Sequence, residues 1–437
     1  MTKLSPVDRF KKGVFKTLDG PCSALALNCC QLGCFIHDVP PAAFDVYNNA
    51  DWMQHLAQAN PDAKLRTLVI PGTHDSGTAT ISKMKPFAAV GLTQNLSIFE
   101  QLNRGIRYLD IRMAGTPGAT GASIFHGCLM GDPLANVLQQ IATFLNEHPG
   151  EFLFLEFVCE YGKDFSPSQK KGALDLIQAE LGQFLYKENN KSKMLNEATL
   201  QELIDANTRV CAMVHNRIFE NDFVLDGQTY DSNYVAQTYS FFDSSKWMYN
   251  RWHNTRDDDM LLQWNLDEVH KNGSDRNKIL LNQFVLTPGV GGAGDIIQLL
   301  IGMASLRPVS FAYRLIPAME EFLRSNANEP WNIVMTDFID LFPGLISFLV
   351  SLNFVATLEI TKATVDSTED VTDKIQPFIK RNKVLFLTNV RKDLGVSSFD
   401  GTLTIEYNLK GESKVMEVEF DDDTEVVLSE YSRFVAE

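Results

Sequence analysis

A (β/α)8 barrel of the TIM type, followed by a small antiparallel β module, is the fold class this α/β sequence predicts. Three observations predict it. Eight short apolar runs recur between residues 66 and 338, amphipathic helical periods lie between many of them, and the pattern changes to strict alternation after about residue 354. At 437 residues the chain has room for one large domain and one small one. The expected division is a lead-in over 1–60, a barrel over 61–353 and a β-rich module over 354–437.

The lead-in is irregular and holds Cys22, Cys29, Cys30 and Cys34. Residues 1–20 carry five basic and two acidic residues, with Phe10, Val14, Phe15 and Leu18 at helical spacing. That composition suits docking on a membrane surface, and in an intracellular chain the cysteines are candidates for S-acylation. As a signal peptide it is poor, because Asn28 and Gln31 interrupt the apolar stretch and an Ala-x-Ala site is lacking.

The strand-like runs fall at 66–70, 106–111, 123–125, 151–159, 209–214, 235–241, 278–286 and 331–338. Several are continuously apolar, as strands buried on both faces are. Asp132 and Pro133 open a helix whose Leu134, Val137, Leu138, Ile141 and Leu145 share one stripe, with Gly150 beyond its end. A second helical period carries Leu174, Ile177, Leu181 and Leu185, and a third Ile296, Leu299, Leu300 and Met303. Residues 217–277 break the rhythm. Polar and aromatic, they read as a long loop region facing substrate, where Tyr239, Trp247, Tyr249 and Trp252 could stack on a ring or reach a lipid interface. Beyond 354, the segments 402–409, 414–420 and 424–428 alternate apolar and polar residues, with Asp400-Gly401 and Lys410-Gly411 as turns.

A net charge of −16 argues against general nucleic-acid binding and against wholesale adhesion to an anionic membrane, so any lipid contact is local. Seven scattered cysteines do not make a disulfide framework, and none are at zinc-site spacing. No run reaches the roughly 18–20 apolar residues of a spanning helix. The nearest are 296–306 and 341–355, and the second contains Pro343.

Four segments carry chemistry. Gly72-Thr73-His74-Asp75-Ser76 ends the first run with an imidazole, a carboxylate and a hydroxyl in succession. Within Asp110-Ile111-Arg112 the two charges sit two apart on a strand and face the same way. Their common face is the barrel mouth, because burying both in packing would be costly. Ile124-Phe125-His126-Gly127 puts a histidine at another strand end, and Val334-Met335-Thr336-Asp337 places a carboxylate at the last one. Taken singly, each has a bland reading: a capped helix start, an ion pair at a rim, a satisfied histidine.

Together and in this order, these segments resemble the X domain of phosphatidylinositol-specific phospholipases C, in particular the bacterial single-chain enzymes and their eukaryotic X-domain-only relatives. The resemblance covers residues 66–340, about three-fifths of the chain. Leu281-Asn282-Gln283-Phe284 is similar to that family's seventh strand and the glycine-rich 289–294 to the loop after it. The resemblance implies that His74 takes the proton from the inositol 2-hydroxyl, with Asp337 holding its ring. It implies that His126 protonates the departing diacylglycerol oxygen with Asp75 as partner, that Arg112 binds the phosphate, and that Asp110 orients Arg112 or the histidines. The product would be a cyclic inositol phosphate.

No metal or other cofactor is expected. Asp75 follows His74 where calcium-using relatives have asparagine, and Arg112 stands where a second carboxylate would sit; its guanidinium would repel a divalent cation. The expected partner is phospholipid at a membrane surface, with no nucleic acid, and a cytoplasmic or membrane-peripheral location is favoured. Two departures leave the headgroup open: Glu156-Phe157-Val158-Cys159-Glu160 where the family has a substrate-facing lysine, and Val214-His215-Asn216 where it has an arginine. His215, Trp247 and Trp252 are the substrate-binding candidates. One rival is a glycerophosphodiesterase, which needs a carboxylate metal cluster and a His-Arg-Gly first strand. The other is a silent X domain that binds phosphoinositides or proteins; the intact histidine pair speaks for catalysis.

Overall fold

The computed structural model describes residues 49–84, 88–160, 163, 165–187, 191–214, 223–275, 277–287, 307–327, 329–354, 359–380, 384–387, 389–397, 400–409, 412–421 and 426–428. Residues 1–48 with the four lead-in cysteines, His215, the glycine-rich 289–294 and the third helical period at 296–303 lie outside them, whereas the end of the expected lead-in is the helix Trp52–Ala59, which packs into the first core.

The strands of the first region are β1 (Ile70–Thr73), β2 (Tyr108–Gly115), β3 (Ala122–His126), β4 (Leu129–Pro133), β5 (Leu153–Cys159), β6 (Val210–Val214), β7 (Phe223–Leu225), β8 (Gln228–Tyr230), β9 (Phe242–Asp243), β10 (Met248–Asn250), β11 (Ile279–Phe284) and β12 (Ile333–Thr336). Eight of them form a curled parallel sheet in the order β10-β11-β12-β1-β2-β5-β6-β9. The last strand pairs with the first, Ile70 opposite Ile333 and Thr73 opposite Thr336, so both carry their C-terminal residues to one mouth. The sheet's two edges are β9 and β10, strands of two and three residues joined by the short helix Ser244–Trp247. Such short strands offer little backbone for a ladder, and among the described residues they do not pair.

The continuous apolar runs become strands covered on both faces. Leu153, Phe154, Leu155 and Phe157 of β5 are all buried. The helix Leu134–Glu147 begins after Pro133 and buries Leu134, Val137, Leu138, Ile141, Phe144 and Leu145. The helix Pro167–Leu181 opens with a capping box, Ser166 with Gln169, and buries Leu174, Ile177 and Leu181. Leu185 falls beyond it, bridging to Val210.

Three expectations are corrected. The run 66–70 yields a 3-10 turn, Leu65–Thr67, and the strand starts at Ile70. Asn353 explains the shift: it accepts from the N–H of Val69 and donates to its carbonyl, satisfying that residue before the ladder begins. The run 123–125 is not a barrel strand but part of the β3–β4 hairpin, antiparallel to β2. The run 235–241 is mainly the helix Ser232–Tyr239, capped by Asp231, which accepts from the N–H of Tyr234. In exchange, the stretch 217–277 supplies β9 and β10, so eight parallel strands survive with different members.

Two separate apolar cores form, one of residues between Trp52 and Phe354 and one between Ile360 and Leu428. The second is built on a four-stranded sheet (Glu359–Val365, Glu369–Asp370, Gly401–Leu409, Glu412–Phe420) and a three-stranded one (Ile379–Lys380, Val384–Leu387, Val426–Leu428). Among the described residues no helix is long and apolar enough to cross a membrane.

Candidate active site

The site begins where β1 ends. Gly72 lets the strand approach β2: a Cβ there would lie 2.9 Å from Cδ1 of Tyr108. Two residues past the strand's end, Asp75 turns the chain with φ of 45°, a left-handed conformation that aspartate tolerates better than most residues. The turn aims His74 and Asp75 into the mouth, and Asp110 on β2 accepts from the N–H of Asp75 at 3.2 Å.

His74 is 12% exposed, and its Nδ1 donates to Oδ1 of Asp337 at 2.8 Å, just past the end of β12. Nε2 of the same ring lies 2.8 Å from Nη2 of Arg112. Two N–H groups cannot face one another, so this contact belongs to the neutral ring, whose bare Nε2 accepts from Arg112; a proton on Nε2 requires that edge of the guanidinium to turn away. Asp75 Oδ2 at 3.4 Å and Asp110 Oδ2 at 4.0 Å flank that nitrogen and would accept from an N–H formed there. Burial lowers the ring's pKa, but the Asp75 and Asp337 carboxylates outweigh it and raise the value to about 9.

Arg112 is clamped on its other side, Nε 2.7 Å from Asp75 Oδ1 and 3.2 Å from Asp110 Oδ2. Burial works against the Asp75 carboxylate, yet Arg112 and His74 hold its pKa down at about 2. At the end of β3, His126 donates from Nδ1 to the carbonyl of Gly91 at 2.8 Å, and its Nε2 lies 3.5 Å from Oδ2 of Asp75. Both histidines therefore direct Nε2 at one carboxylate oxygen.

The structure brings His74, Asp75, Asp110, Arg112, His126 and Asp337 together. Of the other candidates, Trp247 is half-buried with its ring edge against Phe242, and Trp252 is 59% exposed in the segment after β10. Tyr239 donates to Asp175 and Tyr249 to Asp275, so both hydroxyls are already engaged.

Sequence reasoning named Glu156 and Glu160 as a departure from the resembled family without giving them a role, and it missed the segment 91–95. Glu160 accepts from the N–H of Gly127 at 2.8 Å, with its pKa raised by burial and by Asp75. Glu156 lies beside Asp110 in the β2–β5 ladder and accepts from the Tyr108 hydroxyl at 2.5 Å. Burial and the Asp110 charge push it up to about 7. The segment 91–95 contacts the site through backbone and amide groups, a role no motif marks.

His74, Asp75 and Asp110 offer donor atoms within 4.8 Å of one another, close enough in principle for one metal ion. Arg112 is hydrogen-bonded or ion-paired to all three. A divalent ion there would face a guanidinium at contact distance, and the donor set does not suit calcium.

A parallel β/α barrel whose strand ends gather two histidines, three aspartates and an arginine defines a barrel of the phospholipase C type. Phosphatidylinositol-specific phospholipase C from Listeria monocytogenes superposes with a TM-score of 0.51 at 20% identity, covering 70% of this chain and 98% of that one. A single-site mutant of the phosphatidylinositol-specific phospholipase C from Staphylococcus aureus gives 0.50 at 16% identity over 70% of this chain and 98% of its own. These likenesses speak for the fold. The PI-PLC X 1 family model matches residues 64–282, and the chain belongs to that family. PI-PLC X domain-containing protein 2 of Mus musculus is 28% identical over 318 residues, 67% of this chain and 84% of that protein. PI-PLC X domain-containing protein 3 of Homo sapiens is 28% identical over 342 residues, 70% of this chain and 94% of that protein. A 1-phosphatidylinositol phosphodiesterase of Listeria monocytogenes is 36% identical over 121 residues, 26% of this chain and 34% of its own.

Proposed function

We propose that this chain cleaves the phosphodiester of phosphatidylinositol or a related glycerophospholipid, with His74 as general base and His126 as general acid. The observation that carries the reading is the convergence of the two Nε2 atoms on Oδ2 of Asp75, at 3.4 and 3.5 Å, beside the Arg112 guanidinium. Acid–base cleavage of a phosphodiester needs two groups that exchange protons on either side of a fixed cation.

The bare Nε2 of His74 takes the proton of a headgroup hydroxyl, and that oxygen attacks phosphorus. The bond from phosphorus to the diacylglycerol oxygen breaks as Nε2–H of protonated His126 supplies a proton to it. One proton is taken and one given, leaving diacylglycerol and a cyclic phosphate of the headgroup. Asp337 fixes the His74 tautomer and stabilises the imidazolium. Arg112, held at Nε by two carboxylates, turns its remaining N–H groups from His74 to the non-bridging oxygens. The cation in this scheme is a side chain, and no metal step is invoked.

The name of the Listeria relative supports the substrate class, whereas those of the mammalian relatives state a domain and no activity. Met84, 95% exposed after β1, and Trp252 after β10 lie in segments leaving the strands' C-terminal ends, which supports peripheral contact with a lipid surface. The two cores support a catalytic unit that extends the expected 61–353 back to Trp52 and on to Phe354, with a second unit from Ile360 onward.

The test is release of inositol phosphate from phosphatidylinositol vesicles by the purified chain, with and without chelator. Turnover should persist in chelator and fall about 10²–10⁴-fold in His74→Ala and in His126→Ala. Asp337→Asn should add little to His74→Ala, since the carboxylate acts through that ring. Vesicle binding without turnover would favour a silent binding module, and near-normal turnover in His74→Ala would remove the base assignment.

A further inference from the structure

Within the five residues 91–95, Gly91, Thr93, Gln94 and Asn95 bond to the segments that carry His74, Asp75, His126 and Asp337, although none bears a group that titrates. The carbonyl of Gly91 accepts from Nδ1 of His126 at 2.8 Å, which sets that ring's orientation. Thr93, 1% exposed, places Oγ1 3.2 Å from the carbonyls of both His74 and Asp75 and 2.7 Å from Oγ1 of Thr78. The carbonyl of Thr93 accepts from the N–H of Phe338, the residue after Asp337. Gln94, also 1% exposed, donates both amide hydrogens, one to the carbonyl of His74 at 2.9 Å and one to that of Thr336 at 3.1 Å. Asn95 donates to Oδ2 of the buried Asp340 at 3.1 Å, further along the same loop after β12.

The β1–β12 ladder ends near these points, its last link being the N–H of His74 to the carbonyl of Thr336 at 3.2 Å. Beyond it, two adjacent chain ends carry side chains that must stay in hydrogen-bond register. Asp75 and Phe338 both have positive φ, so each end leaves its strand in a turn that ladder bonds cannot support. A buried amide that bridges the two carbonyls replaces the missing ladder, and it has no alternative partner in water.

We propose that 91–95 is a positioning strap that holds the His74–Asp337 dyad in register and sets His126 against it, with Thr93 and Gln94 as the positioning residues. The inference rests on the proposed chemistry for its kinetic readout alone.

The test uses the full chain with Gln94→Met and Thr93→Val, which keep side-chain volume and lose the hydrogen bonds. Thr93→Ser serves as the conservative variant. Imidazole titrations by NMR, assigned with His74→Ala and His126→Ala, read the dyad without reference to turnover. In Gln94→Met the His74 titration should move down from about 9 toward its ordinary 6.5, because the ring drifts from the carboxylates that raise it. Turnover should fall roughly 10–100-fold in kcat with KM little changed, as expected when reacting groups are misplaced by a fraction of an ångström to an ångström. Thr93→Ser should restore most of what Thr93→Val loses. Folded Gln94→Met and Thr93→Val proteins with unaltered His74 titration would overturn the strap, even if their melting temperatures fall. A wild-type chain without turnover would refute the proposed function and still leave the titration to decide the strap.

Discussion

His74 shows how far neighbours can move a residue from its ordinary behaviour. Its ring is buried, which by itself disfavours charge, yet Asp75 and Asp337 raise its pKa to about 9. The folded value lies above the unfolded one of about 6.5, so the bound proton contributes stability that is fully present below pH 6.5. That contribution is lost as pH rises through about 9. The ceiling is roughly 3 kcal/mol, from about 1.4 kcal/mol per unit. Urea midpoints of the wild type should therefore fall between about pH 6.5 and 9, and the fall should be absent in His74→Ala; equal slopes would refute the coupling. Asp75 has the opposite sign. Held at about 2, it stabilises above its ordinary 3.8 and loses that effect as pH falls through 2. The proton that stabilises His74 also blocks it as a base, so kcat/KM should climb with pH across the same window as His74.

At the scale of elements, charges buried under the barrel hold the pieces that aim the mouth. Arg107, just before β2, and Glu151, before β5, are both fully buried and pair at 2.7 Å. Glu151 also accepts from the N–H groups of Met53 and Gln54, tying the helix Trp52–Ala59 across the barrel's lower end. Removing one partner leaves the other charge buried and unpaired, so Arg107→Met should cost about 3–5 kcal/mol in chemical denaturation. Arg107→Met combined with Glu151→Leu should recover part of that loss. A single variant within about 0.5 kcal/mol of wild type, the spread of ordinary surface substitutions, would show the pair to be incidental. The helix Ser232–Tyr239 makes a related point. Val235 and Tyr239 are its buried residues and lie four apart, a helical spacing, but the aromatic and β-branched content of 235–241 reads as strand.

For the whole molecule, two cores without a common member divide the described chain between Phe354 and Ile360. Every residue of the first core, and the six that meet in the mouth, precede that division. A chain of residues 49–354 should therefore fold cooperatively and keep the wild-type His74 titration. Loss of cooperative melting in that truncation would show that the C-terminal sheets complete the barrel. Among the described residues, the open edge between β9 and β10 leaves the barrel unclosed by hydrogen bonds on the side away from β1 and β12. The six mouth residues lie on or just past β1, β2, β3 and β12, away from that open edge.

The sequence by itself determined the barrel class, most of its strands, the separate alternating module and the six polar residues of the mouth. It could do so because apolar runs, helical stripes and strand-end motifs are local patterns that survive without knowledge of partners. The tertiary structure alone decided that 123–125 leaves the barrel as a hairpin, that 242–243 and 248–250 take places in the parallel sheet, and that Asp75 is the point on which both histidines converge. Those outcomes depend on which backbone groups find partners across the sheet. Gln94 is the clearest instance. Its amide joins a carbonyl 20 residues behind it to another 242 residues ahead, and nothing in the chain marks the link, because its partners are backbone atoms that every residue possesses.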